Sequence, residues 1–232
     1  MSVASDQELA SRILAVRENV ARAARLAGRD PAEITIVAVS KTVDRAAVDE
    51  AFALGMRHFG ENRVLDAVSK FSDPLAEGAC LHLIGQLQTN KARPAVALFQ
   101  LIESVDRPSL ITALAKEGER VGTPVAVLLQ VNVAREPQKA GCAPEDAPAL
   151  MAQMIDSPWL DPRGLMTMAP VVADPEAARP VFAGLRDVRD ELRRVFPTLS
   201  LDTLSMGMSN DYQVAIAEGA TAVRIGRAIF GG

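Results

Sequence analysis

Residues 34–41 read Ile-Thr-Ile-Val-Ala-Val-Ser-Lys, and this stretch decides the fold. Five of its eight residues are β-branched, which is typical of a short buried strand. Gly28 and Pro31 precede it, and Asp44 begins a helical pattern after it. Parallel α/β folds carry their chemistry where a strand meets the following loop, so Lys41 lies where a functional amine is expected. The alternative at this point is a lysine that simply leaves the core for water.

The same strand-then-helix pattern repeats along the rest of the chain. The apolar runs predict eight strands: Ile34–Lys41, Arg57–Phe59, Leu81–Gly85, Gln100–Val105, Pro124–Val131, Arg163–Met168, Leu201–Met206 and Ala222–Ile225. The fifth is almost uninterrupted in its apolar character, as expected of a strand buried on both faces. The strand count and roughly 25 residues per unit favour a closed (β/α)8 barrel, the TIM-barrel fold.

Helical periodicity fills the intervals between the strands. A first helix is predicted over residues 6–27, and the later ones over 45–54, 63–71, from about 92 through Leu98, 108–121, 145–156, 175–195, and from Ser209 to Gly219. An open doubly wound sheet is the alternative, but the chain has neither a Gly-x-Gly-x-x-Gly after the first strand nor a phosphate-binding Gly-Lys-Ser/Thr. We therefore expect one domain over residues 1–232, with residues 1–30 as an extra N-terminal helix packed on the barrel.

Composition narrows the classes of partner. The chain has 232 residues, a hydrophobic content of 49% and a net charge of −4, and its basic residues are scattered. This argues against nucleic acid as a partner, and the absence of a long apolar run argues against a membrane. We expect a cytoplasmic monomer with a small-molecule ligand. Cys80 and Cys142 have no metal-ligand spacing and are expected to be free thiols, and His58 and His82 are expected to be strand residues with local partners.

Several polar residues follow predicted strand ends and should therefore meet at one face of the barrel. Lys41 and Asn62 are two of them, and Ser209 and Gly226 follow the last two strands. Phosphate sites in barrels often form after strands seven and eight, from backbone N–H groups near helix starts. Ser209 taken alone is better explained as a plain helix N-cap, but together with Gly226 it favours a phosphate site.

Arg224 lies inside the last predicted strand, between Val223 and Ile225. A buried guanidinium needs an acceptor, either a structural carboxylate or a ligand atom. A lysine, an anion site and an inward arginine together suit a phosphorylated aldehyde.

Six short motifs carry a resemblance to a known family. They are Ala38–Lys41, Phe59–Asn62, His82–Gly85 with Leu87–Lys91, Gly164–Met166, Leu204–Ser209 and Val223–Gly226. In this order the chain resembles the pyridoxal phosphate homeostasis protein family, whose barrels are similar to the N-terminal domain of alanine racemase.

The resemblance implies a cofactor and a role for each site residue. It implies that Lys41 carries pyridoxal 5'-phosphate (PLP) as an internal aldimine and that Asn62 lies near the cofactor. It also implies that Ser209 and the backbone at Gly226 and Arg227 hold the phosphate. Arg224 is then expected to face the pyridine nitrogen.

Two features of the chain favour a carrier over an enzyme. The resemblance places Arg224 at the pyridine nitrogen, where an arginine weakens the ring as an electron sink. Alanine racemases resemble two-base enzymes whose second base is a tyrosine supplied with a C-terminal β domain, whereas the sole tyrosine here, Tyr212, is expected on the helix after Ser209. The expected function is therefore PLP (vitamin B6) homeostasis, by buffering or delivery of the cofactor to PLP-dependent apo-enzymes, without strong catalysis. The alternatives are a PLP-dependent racemase or decarboxylase acting through Lys41, and a barrel without a ligand.

Overall fold

A computed structural model describes residues 3–231 and contains a closed barrel of eight parallel strands in sequence order. The strands are β1 Thr35–Val39, β2 His58–Glu61, β3 Cys80–Leu83, β4 Leu101–Val105, β5 Val125–Gln130, β6 Leu160–Met166, β7 Thr203–Met208 and β8 Ala222–Ile225. β8 pairs with β1, with Val37 opposite Arg224, and this pairing closes the sheet. The predicted (β/α)8 architecture is confirmed, and the open doubly wound sheet is wrong.

Helices surround the barrel. They are α1 Val3–Leu26, α2 Arg45–Ala53, α3 Val64–Lys70, α4 Ala92–Leu98, α5 Pro108–Val121, α6 Ala147–Ile155, α7 Arg179–Val195, α8 Tyr212–Ala217 and α9 Arg227–Phe230. Short 3-10 turns occupy Pro31–Glu33, Thr89–Lys91, Pro144–Asp146 and Pro175–Ala178. No helix in the described part of the chain is both long and apolar enough to cross a membrane.

Local sequence signals explain several of these boundaries. Asp44 is the N-cap of α2, where its side chain accepts a hydrogen bond from the Ala47 backbone N–H at 3.0 Å. Gly122 ends α5 in the left-handed region at φ 71°, which a glycine adopts without steric cost. Two predicted helices, 145–156 and 175–195, start later than expected as α-helices because prolines begin 3-10 turns ahead of them.

The helix α1 covers one side of the barrel. Its buried residues Leu9, Ile13, Val16, Val20 and Ala24 recur at helical spacing and form one apolar stripe. Arg12 Nε also donates to the Ile229 carbonyl at 2.8 Å, at the opposite end of the chain. The N-terminal helix therefore packs against α8 and α9 and joins the two ends of the chain.

Candidate functional site

A cavity of about 780 Å³ opens where the carboxyl ends of the strands converge. All six residues proposed from the sequence line it: Lys41, Asn62, Ser209, Arg224, Gly226 and Arg227. Apolar side chains, among them Val39, Ile84 and Met168, complete its wall. Residues at the ends of the first two and the last two strands thus line one cavity, as the barrel topology requires.

Lys41 enters this cavity from a turn rather than from a strand. The predicted strand ran to Lys41, but β1 ends at Val39, and the lysine side chain is exposed two residues later. Among the residues that the structure describes, none forms a hydrogen bond or an ion pair with its amine. The amine is therefore free to meet a ligand.

A buried polar group fixes the backbone next to Lys41. Ser40 is fully buried, and its hydroxyl donates to Glu61 Oε1 at 2.7 Å. Lys70 of α3 donates from Nζ to both the Ser40 carbonyl and Glu61 Oε1, each at 2.8 Å. Sequence reasoning missed Glu61 and Lys70, although Glu61 directly precedes Asn62. This group holds the turn that presents Lys41.

Ser209 is not the helix N-cap. The helix α8 begins at Tyr212, and Asp211 occupies the N-cap position. Asp211 also accepts the Met208 backbone N–H at 2.6 Å, and burial raises the pKa of its carboxyl. Within the described residues the Ser209 hydroxyl forms no hydrogen bond to protein. The plain N-cap explanation therefore fails, and the hydroxyl is available to a ligand in the cavity.

Gly226 and Arg227 follow β8. A Cβ at Gly226 would lie 3.3 Å from both Cβ and the carbonyl oxygen of Val39, so glycine allows this loop to approach β1 closely. Arg227, the first residue of α9, is exposed, and no ion pair to it is found in the part of the chain described. The loop combines exposed backbone and a positive charge at the cavity wall.

Arg224 is only 4% exposed, and its partners lie inside the protein. Nη1 donates to the Ser205 hydroxyl at 2.6 Å and Nη2 to the Thr167 carbonyl at 2.7 Å. Glu103 Oε2 is 3.8 Å from Nη1. Burial lowers the pKa of Arg224, and the negative charges of Glu103 and Asp211 oppose that effect. The structure thus gives the guanidinium protein acceptors at one end while the residue still lines the cavity.

A hydrogen-bonded chain continues from Arg224 through the barrel interior. The Ser205 hydroxyl donates to Glu103 Oε2 at 2.5 Å, and Glu103 Oε1 lies 2.7 Å from Nδ1 of His82. Nε2 of His82 lies 3.0 Å from Nδ1 of His58. Burial disfavours ionisation of Glu103, but hydrogen bonding to His82 and the charges of His82 and Arg224 lower its pKa. The two histidines have local partners, as the sequence predicts.

Tyr212 does not supply a group to the cavity. It is on α8 as predicted, but its side chain is buried in the hydrophobic core and is absent from the residues that line the cavity. Its phenol is therefore not positioned to act as an acid or base there.

Comparisons with known proteins agree with this architecture. The family model described as "Alanine racemase, N-terminal domain" matches residues 12–232. The chain is 45% identical to the Pseudomonas aeruginosa pyridoxal phosphate homeostasis protein, over 96% of this chain and 95% of the relative. The protein of the same name from Escherichia coli K12 is 39% identical, over 97% of this chain and 96% of the relative.

Solved structures give the same fold. PipY of Synechococcus elongatus PCC7942, solved with PLP bound, is 38% identical with a TM-score of 0.84, over 96% of this chain and all of that one. Alanine racemase from Clostridium difficile 630 superposes with a TM-score of 0.72 at 12% identity, over 93% of this chain and 55% of the racemase. The racemase similarity shows the fold alone. By its sequence and its structure, the chain belongs to the pyridoxal phosphate homeostasis protein family, within the alanine racemase N-terminal domain fold.

Proposed function

We propose that this protein binds PLP in the cavity at the carboxyl ends of its strands and acts in PLP homeostasis, by storing the cofactor or delivering it. One observation carries the proposal: the Lys41 amine and the Ser209 hydroxyl, neither of which has a partner among residues 3–231 as described, share a cavity with the loop at Gly226. PipY, which is 38% identical to this chain, has been solved with PLP bound, and this supports the choice of ligand.

The residues present fit such a ligand. The Lys41 amine suits an aldehyde, while the Ser209 hydroxyl, the Gly226 backbone and the Arg227 charge suit a phosphate. Val39, Ile84 and Met168 offer apolar surface to an aromatic ring. Asn62 adds an amide to the same wall. Each part of the ligand therefore has a matching group.

PLP supplies an aldehyde that an amine captures reversibly and a conjugated ring that accepts electrons. In this proposal Lys41 holds the aldehyde end covalently, and the Ser40–Glu61–Lys70 group keeps the lysine's turn in place. Ser209 donates its hydroxyl proton toward the phosphate. Arg224 lies at the ring nitrogen, and because its guanidinium is already held by Ser205 and Thr167, its position is fixed before the ligand arrives.

We further propose that the protein is not a strong catalyst. A cation beside the ring nitrogen disfavours protonation of that nitrogen and weakens the ring as an electron sink. The buried position of Tyr212 removes the side chain best suited to be a second base. The name of the relatives, pyridoxal phosphate homeostasis protein, supports the same role.

The test combines spectroscopy with an activity assay. Purified protein is expected to show the visible absorbance of lysine-bound PLP and no interconversion or decarboxylation of a panel of amino acids. Lys41→Ala should lose the visible band, whereas Lys116→Ala, an exposed lysine on α5, should keep it. Amino-acid turnover that disappears in Lys41→Ala would instead establish an enzyme, and a band that survives in Lys41→Ala would remove Lys41 as the anchor.

We also propose that the protein is a cytoplasmic monomer and that it delivers the cofactor to PLP-dependent apo-enzymes. The large exposed apolar side chains are spread over several elements, for example Leu26 on α1, Leu65 and Val68 on α3, Val121 on α5 and Val195 on α7, and this spread supports a monomer. Light scattering of the loaded protein should therefore give the mass of one chain. Reactivation of an apo-enzyme should be faster with loaded protein than with Lys41→Ala mixed with the same amount of PLP.

A further inference from the structure

A second cluster of reactive side chains lies at the amino-terminal end of the barrel, away from the cavity. His58 is the first residue of β2, Cys80 is the first residue of β3, and His82 follows two residues later. The sheet register places His58 opposite Cys80. These are both histidines and one of the two cysteines of the whole chain. None of the three lines the cavity of Lys41.

The donor atoms are close to metal-binding geometry. One atom from each of the three residues lies within 4.8 Å of the other two, and the two facing imidazole nitrogens are 3.0 Å apart. With Zn–N bonds of about 2.0 Å and a Zn–S bond of about 2.3 Å, a tetrahedral site needs N···N separations of about 3.3 Å and N···S separations of about 3.6 Å. The donor atoms therefore lie within about an ångström of these separations.

A carboxylate already holds the ring of His82 on the side away from His58. Nδ1 of His82 lies 2.7 Å from Glu103 Oε1, and an ionised carboxylate accepts hydrogen bonds only, so Nδ1 carries the proton. The other nitrogen, Nε2, faces His58. Glu103 is in turn fixed by the Ser205 hydroxyl at 2.5 Å. A carboxylate behind a histidine is the usual way in which proteins orient that histidine toward a metal.

Either an N–H of His58 or a metal ion fills the gap between the two facing nitrogens. Two imidazole lone pairs at 3.0 Å would repel each other, so without a metal ion Nδ1 of His58 carries a proton and donates it to Nε2 of His82, and a bound metal ion would replace that proton. His58 and Cys80 are only half-buried, so an ion can reach the cluster from solvent. A divalent cation there has its charge balanced by the Cys80 thiolate and the Glu103 carboxylate.

We propose that His58, Cys80 and His82 form a binding site for one borderline transition-metal ion of the Zn²⁺ class, with a sulfur and two nitrogen ligands and water in the fourth position. Glu103 is the positioning residue behind His82. Soft and borderline donors select Zn²⁺ or Co²⁺ over Mg²⁺ and Ca²⁺, which require oxygen ligands. This site is separate from the proposed cofactor cavity, so either proposal can fail without the other.

The test uses full-length, tag-free, chelator-treated protein titrated with Zn²⁺ by calorimetry. One ion per chain is expected. Cys80→Ser and His58→Ala should each weaken binding by more than about a hundredfold, the upper end of what outer-shell partners contribute. Cys142→Ser is the matched control because its thiol lies at the far end of β5, next to Val131, and it should bind as the unchanged chain does.

The absorption spectrum of bound Co²⁺ reports on the ligand atoms themselves, so a purely structural role of these residues would not change it. Bound Co²⁺ should show a thiolate charge-transfer band and the intense visible bands of a tetrahedral complex, and Cys80→Ser should abolish the first. As a control, Lys41→Ala should give the same Co²⁺ spectra, which would show that the metal is not bound by PLP. A Zn²⁺-dependent rise in melting temperature that is lost in Cys80→Ser tests the site even if a variant is less stable. No Zn²⁺ binding, or binding that Cys80→Ser and His58→Ala leave within tenfold, would overturn the proposal.

Discussion

At the scale of single residues, Ser209 obtains its proposed role from the position of its neighbours. Asp211 occupies the N-cap of α8, and the serine hydroxyl is left without a protein partner among the residues described. A hydrogen bond to a charged group is worth about 1.5–3 kcal/mol, so Ser209→Ala should weaken PLP binding about ten- to a hundredfold. The covalent link through Lys41 should persist. Equilibrium titration followed by absorbance measures the change.

The matched control is Ser109→Ala, on the exposed surface of α5, which should bind PLP as the unchanged chain does. Equal affinity of Ser209→Ala and Ser109→Ala would show that the Ser209 hydroxyl does not hold the phosphate.

The two cysteines should differ sharply in reactivity. Burial disfavours the Cys80 thiolate, but hydrogen bonds with His58 and His82 outweigh burial and lower the pKa of Cys80 to about 6. Burial and the nearby charges of Asp146 and Asp106 raise the pKa of Cys142 to about 12. The thiolate is the reactive form, so alkylation of Cys80 by iodoacetamide should rise through pH 6 and level off near neutral pH.

Single-cysteine variants, Cys142→Ser and Cys80→Ser, separate the two thiols in metal-free protein. Mass spectrometry should find Cys80 alkylated at pH 7 while Cys142 stays unmodified. A Cys80 rate that keeps increasing through pH 9, as for an ordinary thiol, contradicts the imidazole pairing.

At the scale of elements, α3 is tied to the ends of β1 and β2 by a buried ion pair. Lys70 Nζ lies 2.8 Å from Glu61 Oε1, and Glu61 is 1% exposed. Lys70→Met leaves that carboxylate buried without its cation, which should lower the free energy of unfolding by about 3 kcal/mol. Urea denaturation measures the loss.

Lys116→Met, on the exposed surface of α5, should change stability by less than about 0.5 kcal/mol. If Lys70→Met is no less stable than Lys116→Met, the ion pair does not hold this part of the barrel.

The order of strands and helices was predictable because the spacing of apolar residues and the positions of turn residues are local features of the sequence. All eight strands and the helices between them were expected in the observed order, and β8 has the predicted bounds. The ends were less accurate. β6 begins at Leu160 rather than Arg163, since pairing with β5 extends it across Pro162 with an irregular register. Strand ends depend on the partner strand, and a single strand's sequence does not contain that information.

At the scale of the whole molecule, the barrel brings together residues that are far apart in the chain. Lys41, Asn62, Ser209 and Gly226 were found because they follow strand ends, which converge at one face of a barrel. Arg224 was found because a guanidinium inside a strand needs an acceptor, and Arg227 only through the family resemblance. The chain from Arg224 through Ser205 and Glu103 to His82 was not found, because it depends on which strand residues point inward and at what height. The role proposed for Cys80 as a metal ligand was not found from the sequence either, because its spacing to other cysteines and histidines does not suggest one.

The central claim is that the Lys41 amine, after the first strand, and the phosphate-binding groups at Ser209 and Gly226, after the last two strands, hold one molecule of PLP. Borohydride reduction of the loaded protein fixes the cofactor to its lysine, and peptide mapping then identifies that residue. We predict a single pyridoxyl group on Lys41, one of the five lysines in the chain, with much lower yield in Ser209→Ala at limiting PLP. A label on Lys70, Lys91, Lys116 or Lys139 in place of Lys41 would contradict the account.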